Sequence, residues 1–206
     1  MTMKLFHAWG SCSLASLIAL EEAGADYELV TISTRDGDQR KPEYLAVNPK
    51  GRVPALVTEH GVLTETPAIL SYIPETHPRA NLLPEDPWAR ARAHAFMSYL
   101  CSTVHVAHAH KHRGYRWAKE ESSFRDMTAK VAENEIECFR LIEGEMLAGP
   151  WVMGAQYTVC DAYLFTLSGW LEDDGVDIAQ FPKVHDHFRR MQERPAVRAV
   201  LSKKAA

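Results

Sequence analysis

The chain has 206 residues, 46% hydrophobic and 24% charged, a globular balance that argues against disorder and allows one large domain or two small ones. Its 23 Lys+Arg against 27 Asp+Glu leave a formal net charge of −4, which gives no support to nucleic-acid binding, and no stretch approaches the ~20 apolar residues that span a bilayer. Met1 to His7 lacks a long apolar core and a cleavage site, so no secretory signal is expected, and the scattered Cys12, Cys101, Cys138 and Cys160 read as free thiols of a reducing cytoplasm. Met3 to His7 is a short apolar strand ending at Trp9-Gly10-Ser11. Leu14, Leu17, Ile18 and Glu21 follow helical spacing up to a stop at Gly24, and Tyr27 to Ile32 alternates like a strand. Residues 34–42 form a polar loop, and Pro42 to Val47 suits a short helix before the Asn48-Pro49-Lys50-Gly51 turn. Ala55–Thr58 and Gly61–Thr64 read as a tight hairpin, followed by a helix from Thr66-Pro67 to about Tyr72 that Pro74 should break or kink. The proline-rich stretch 74–87 has linker character, and everything after it reads helical. The helices expected there are Trp88 to about His112, Ser122 to about Leu147, Thr158 to about Leu171, Phe181 to Gln192 and Ala196 to Leu201.

Three places carry candidate chemistry. Cys12 stands at the first turn of the first helix, where free N–H groups and the helix dipole favour a negative charge, so a thiolate there should have a lowered pKa. Ser13, Leu14 and Ala15 follow it, so it has no Cys-x-x-Cys partner and needs an external thiol; the alternative is a buried apolar cysteine. Glu65 precedes Thr66-Pro67, a capped helix start that can hold a carboxylate while Glu65 takes an ammonium, the two charges of an α-amino acid end; the alternative is a simple cap. Asn48 to Pro54 is a turn into a strand, and a cis Val53-Pro54 bond would free the Val53 backbone to pair with an extended peptide.

Lys4-Leu5-Phe6 with Gly10-Ser11-Cys12-Ser13, Asn48-Pro49-Lys50-Gly51-x-Val53-Pro54, Leu63-Thr64-Glu65 and Thr158-x-x-Asp161-Ala162-Tyr163-Leu164-Phe165 together resemble the cytosolic glutathione transferase family over nearly the whole chain. The cysteine, in place of a tyrosine or serine, resembles the bacterial beta class. The resemblance implies an α/β plus all-α chain: a thioredoxin-like βαβαββα domain over 1–78, a linker over 79–87 and an all-helical substrate-binding domain over 88–206. It implies a cytoplasmic homodimer with a role in detoxification, no metal, no nucleic acid and no membrane, and a cis Pro54. Glutathione would be the co-substrate, with its sulfur at Cys12, its cysteinyl part along Val53 and its γ-glutamyl end at Glu65 and Thr66. His105 would reach the sulfur from the helical domain. Ser98, Ser102 and, from the polar loop, Arg35 are further glutathione contacts, while Trp9 and His108 would wall a small hydrophobic electrophile.

The chain departs from the family pattern at Val106, where a lysine is usual, at His7, where a tyrosine often stands, and at Ser98, where an asparagine often faces the partner's glutathione. Two reactions fit: transfer of glutathione to the electrophile, or exchange with a mixed disulfide. The alternatives are a glutathione-dependent thiol-disulfide oxidoreductase and a non-catalytic glutathione-binding protein. His105, His108 and His112 share one helix face and His110 another, a pattern read as a polar stripe facing the cleft or a second subunit, with metal binding the minority view.

Overall fold

The computed structural model describes residues 2–204. Strands β1 (Met3–His7), β2 (Tyr27–Thr31), β3 (Ala55–Thr58) and β4 (Gly61–Thr64) form one sheet in the order β2-β1-β3-β4. β1 is parallel to β2, with Met3 opposite Tyr27 and His7 opposite Thr31, and β3 runs antiparallel to both of its neighbours. The parallel pair needs a crossover, which helix α1 (Ser13–Glu22) supplies. Leu17, Ile18 and Leu20 are inaccessible, so α1 is apolar on nearly every side. The reason is its place: it lies between the sheet and the helices of the second half, and one continuous core runs from Leu5 and Leu56 through α1 to Tyr163 and Val197.

The remaining helices are α2 (Pro42–Leu45), α3 (Thr66–Thr76), α4 (Pro87–Tyr99), α5 (His105–Arg113), α6 (Glu121–Leu141), α7 (Val159–Ser168), α8 (Pro182–Glu193) and α9 (Pro195–Ser202). This is the thioredoxin-like sheet portion followed by a helical remainder that the sequence implies. None of the described helices is long and apolar enough to cross a membrane. α7 is buried along its whole length and starts at a complete capping box. Asp161 accepts from the Thr158 N–H at 2.7 Å, and its other oxygen accepts from the Val152 N–H at 2.7 Å and faces His187 Nε2 at 3.0 Å.

Three expectations change. α3 runs past Tyr72 to Thr76 with Pro74 inside it. The proline sits in the last turn, where only one backbone bond is lost. The His77 N–H closes onto the Ile73 carbonyl at 3.0 Å, and the Thr76 hydroxyl donates to the Tyr72 and Ile73 carbonyls. The long helix expected from Trp88 to His112 is α4 and α5 joined through a π-helical turn, Leu100–Val104, and the next one ends in a second such turn, Ile142–Met146. Periodicity sees a helix but not the wider turn. α7 stops at Ser168, short of Leu171.

Candidate functional site

The turn after β1 is tied down by short polar side chains. The Ser11 hydroxyl donates to the Ala8 carbonyl at 2.8 Å, and Ser13 Oγ lies 2.7 Å from both Ser11 Oγ and His7 Nδ1 while accepting from the Ala8 N–H. His7 is fully buried, and burial holds its pKa down to about 4, so it is a neutral member of this network. Cys12 caps α1 on top of it.

Its side chain does not turn into the helix. The Cys12 thiol donates to the Val53 carbonyl at 3.6 Å and makes no cap bond to α1, whose first N–H, that of Ser13, is taken by Ser11 Oγ at 3.3 Å. Burial is the leading influence and pushes the thiol above its ordinary value, while the Thr66 hydroxyl and the Arg113 guanidinium pull the other way. The lowered pKa expected from helix position is therefore corrected: a buried thiol engaged as a donor to a carbonyl keeps its proton, whatever the dipole behind it offers.

Val53 is held by the turn before it. Tyr44 Oη donates to the Arg52 carbonyl at 2.6 Å, Asn48 Nδ2 donates to the same oxygen at 2.7 Å, and Asn48 Oδ1 accepts from the Lys50 N–H. Gly51 has φ +58°, and a Cβ there would come within 2.9 Å of Gln39 O and Arg40 Nη1, so the turn needs glycine on two grounds. The Val53-Pro54 bond is cis. Glu65 has φ 75°, and its carboxylate takes the Lys50 ammonium at 2.6 Å with the side chain 52% exposed.

These pieces border a cleft of about 660 Å³. Trp9, Cys12, Val53, Glu65 and Thr66 line it from the sheet side; His105 and His108 line it from α5. Ser98, Ser102 and Arg35 are not among its lining. Ser98 and Ser102 are exposed on the helical wall, where the Ser102 hydroxyl donates to the Ser98 carbonyl at 2.8 Å, and Arg35 is exposed on its loop. Arg40 from the same loop faces the cleft instead. His112 faces it as well, whereas His110 is not among the lining and packs edge-on against Trp117, as helical spacing predicts. Among the described residues no group of three or more His, Cys, Asp or Glu side chains is placed to hold a metal ion.

Arg113 is the residue sequence reasoning missed. It lies two helical turns beyond His105 on α5, and among the described residues it has no carboxylate partner; its Nη1 donates to His105 Nε2 at 3.4 Å. A guanidinium only donates, so Nε2 is the acceptor and Nδ1 carries the His105 proton. Burial first, then Arg113, lowers the His105 pKa to about 3. It is therefore a neutral imidazole with one N–H to give. Arg40, Arg52, Arg113 and Arg116 all line the cleft against one carboxylate, Glu65, so the cleft is positive within a net-negative chain. Cys101, brought in by the π-turn, also lines it.

Known proteins resemble the chain over nearly its whole length. Residues 1–75 match the family described as "Glutathione S-transferase, N-terminal domain". Glutathione S-transferase GstA of Escherichia coli O157:H7 is 32% identical across 97% of this chain and 98% of its own length. A maleylacetoacetate isomerase of Pseudomonas aeruginosa is 30% identical across 95% and 94%. A glutathione transferase homologue from Sulfitobacter, solved with bound glutathione, superimposes with a TM-score of 0.97 at 46% identity, covering 98% of each chain. A bacterial beta-class glutathione S-transferase of Sphingomonas chungbukensis gives 0.84 at 33% identity, covering 97% of this chain and 98% of that one.

Proposed function

The chain belongs to the glutathione S-transferase family, and from that premise we propose that it is a beta-class-like glutathione transferase whose site is the cleft between Cys12 and α5. The observation that carries this reading is the pairing, across one positive cleft, of a buried cysteine with an unpaired arginine: glutathione has two carboxylates, one ammonium and one thiol to offer them. Its γ-glutamyl end goes to Glu65 and Thr66 at the start of α3, where the ammonium shares the carboxylate with Lys50. Its cysteinyl part pairs with the Val53 backbone, and Arg40 takes the role first given to Arg35. The cysteine in place of a tyrosine or serine supports the beta class. The family resemblance extends the proposal to a cytoplasmic homodimer with a detoxifying role, and to a boundary between the two halves within 79–87.

In this reading the glutathione sulfur sits between the Cys12 thiol, the Thr66 hydroxyl and the His105 Nδ1–H. All three are donors, and together they hold a thiolate without taking charge themselves. The protonated Cys12 favours transfer: it acts as a hydrogen-bond donor to the glutathione sulfur, which attacks an electrophile packed against Trp9 and the other aromatic side chains of the cleft. A second reading, thiol exchange through Cys12, is favoured by one observation, the presence of Cys101 in the same cleft. Cys12→Ser separates them, since a hydroxyl still donates but cannot form a mixed disulfide; retained conjugation with lost exchange is the expected result.

Glu65→Gln tests the placement of glutathione. Because the side chain is half exposed, its loss should weaken binding by about tenfold, roughly 1.4 kcal/mol, at the low end for a charge pair. Calorimetry that finds an unchanged Kd would overturn the assignment.

A further inference from the structure

His108 and Asp174 form a pair for which the placement of glutathione has no use. Asp174 lies in the turn after α7, its side chain only 1% exposed, with Oδ2 2.6 Å from His108 Nδ1. A carboxylate only accepts, so Nδ1 is the donor and Nε2 is the open nitrogen of the ring; it makes no hydrogen bond among the described residues. The ring stacks on Trp170 at 4.3 Å with 26° between planes, which fixes its orientation, and both rings line the cleft. The arrangement is that of an imidazole oriented from behind by a buried carboxylate, with its free nitrogen left to the cleft.

The pair has charged and polar groups on both sides. On the buried side, Lys111 Nζ is 3.4 Å from Asp174 Oδ1, and Glu135 comes in from α6 with Oε1 unpartnered. Burial, then the neighbouring Asp174, pushes the Glu135 carboxyl up to about 8, so near neutrality Glu135 holds its proton. On the cleft side stand the neutral His105, His112 and the cations Arg113 and Arg116.

Resting on the glutathione transferase reading above, we propose that His108, oriented by Asp174, is the general acid of the electrophile half of the cleft, serving activated alkenes whose adducts need a proton on carbon. The glutathione sulfur forms the new C–S bond at the β-carbon, the π pair of the double bond moves to give an enolate, and the enolate takes the Nε2 proton of the His108 imidazolium. The proton that the glutathione thiol lost on ionising returns to Nε2 through solvent, so no further reactant is needed. Asp174 is the positioning residue: it fixes the ring and stabilises the imidazolium.

The test compares two electrophiles with the full chain and glutathione: trans-4-phenyl-3-buten-2-one, whose adduct must be protonated, and 1-chloro-2,4-dinitrobenzene, which expels chloride instead. His108→Asn keeps an N–H toward Asp174 but has no proton to deliver, and should lower kcat for the enone at least tenfold further than kcat for the aryl chloride. Asp174→Asn should lower the enone kcat in the same electrophile-selective way, and by less, because the ring loses the buried carboxylate that orients it. Should the Asn variant at 108 not fold, His108→Gln gives the same comparison of rates. Equal losses on both electrophiles in the variants at 108 and 174 would overturn the proposal and leave a pair that only anchors α5. Calorimetric glutathione binding by the same proteins separates that failure from failure of the family function, since a wild type that binds no glutathione overturns both.

Discussion

Cys12 is under two opposed influences, and their balance decides what the residue can do. Its position behind Gly10-Ser11 at a strand-to-helix turn was legible from the chain alone, because turn residues, helical spacing and a cysteine coincide there. Its protonation was not, because burial and the Val53 carbonyl come from the packing of distant segments. Alkylation by iodoacetamide near neutral pH should accordingly be slow at Cys12, with a rate that climbs only above the ordinary thiol range. Arg113→Gln removes the cation that opposes burial and should shift that climb to still higher pH. Mass-mapped alkylation rates between pH 6 and 10 check both; a Cys12 that outruns Cys101 at pH 7 would restore the activated thiol. Arg113 escaped the sequence reading for a related reason. Arginines at a helix end are common, and nothing local marks one that folds back toward a cysteine a hundred positions earlier.

At the scale of single elements, α7 has the most to lose from one substitution. Asp161 holds the N-terminus of a helix that is buried throughout, and it also holds the Val152 backbone and His187. Asp161→Ala would strand three buried donors, a loss of ~3–5 kcal/mol by analogy with broken buried pairs. At ~2–4 °C per kcal/mol for a chain of this size, the melting temperature should drop by roughly 10 °C. Asp161→Asn keeps the shape and one acceptor and should lose less; calorimetric melting of the two variants orders them. The capping box is a local pattern, with both of its residues within four positions, whereas the bonds to Val152 and His187 depend on tertiary folding. The same contrast explains the helices. Their existence and approximate ends follow from apolar spacing, but the survival of α3 through Pro74 depends on a last turn closed by Thr76 and His77.

The whole molecule combines these terms in its response to pH. His7 and His105 are held neutral to about 4 and about 3, against an ordinary 6.5, so below 6.5 the unfolded chain takes up protons that the folded one refuses, and stability falls with falling pH. Glu135 runs the other way. Its carboxyl stays protonated to about 8 when folded but ionises near 4.5 when unfolded, a contribution complete below 4.5 and lost as pH rises through 8. Between 4.5 and 6.5 two histidines outweigh one glutamate; above 6.5 the glutamate acts alone. The melting temperature should therefore peak near pH 6.5, and Glu135→Gln should flatten the decline from 6.5 to 8; a wild-type peak near pH 8 would refute the scheme. The sheet, the two-part organisation and most of one cleft wall were readable from motifs, while the positive lining and the His108–Asp174 pair join residues that only the assembled chain brings together. The wide turn Leu100–Val104 has a genetic consequence. A π-turn accommodates one surplus residue in an otherwise regular helix, and each residue added to an α-helix rotates the downstream side chains by about 100°. Losing the codon for the exposed Thr103 should therefore convert the turn to ordinary helix and leave α4 and α5 facing as they do now. The same single-codon loss inside α5 would swing the histidines beyond it out of the cleft, so this helical wall can shorten at one place only without losing its aim.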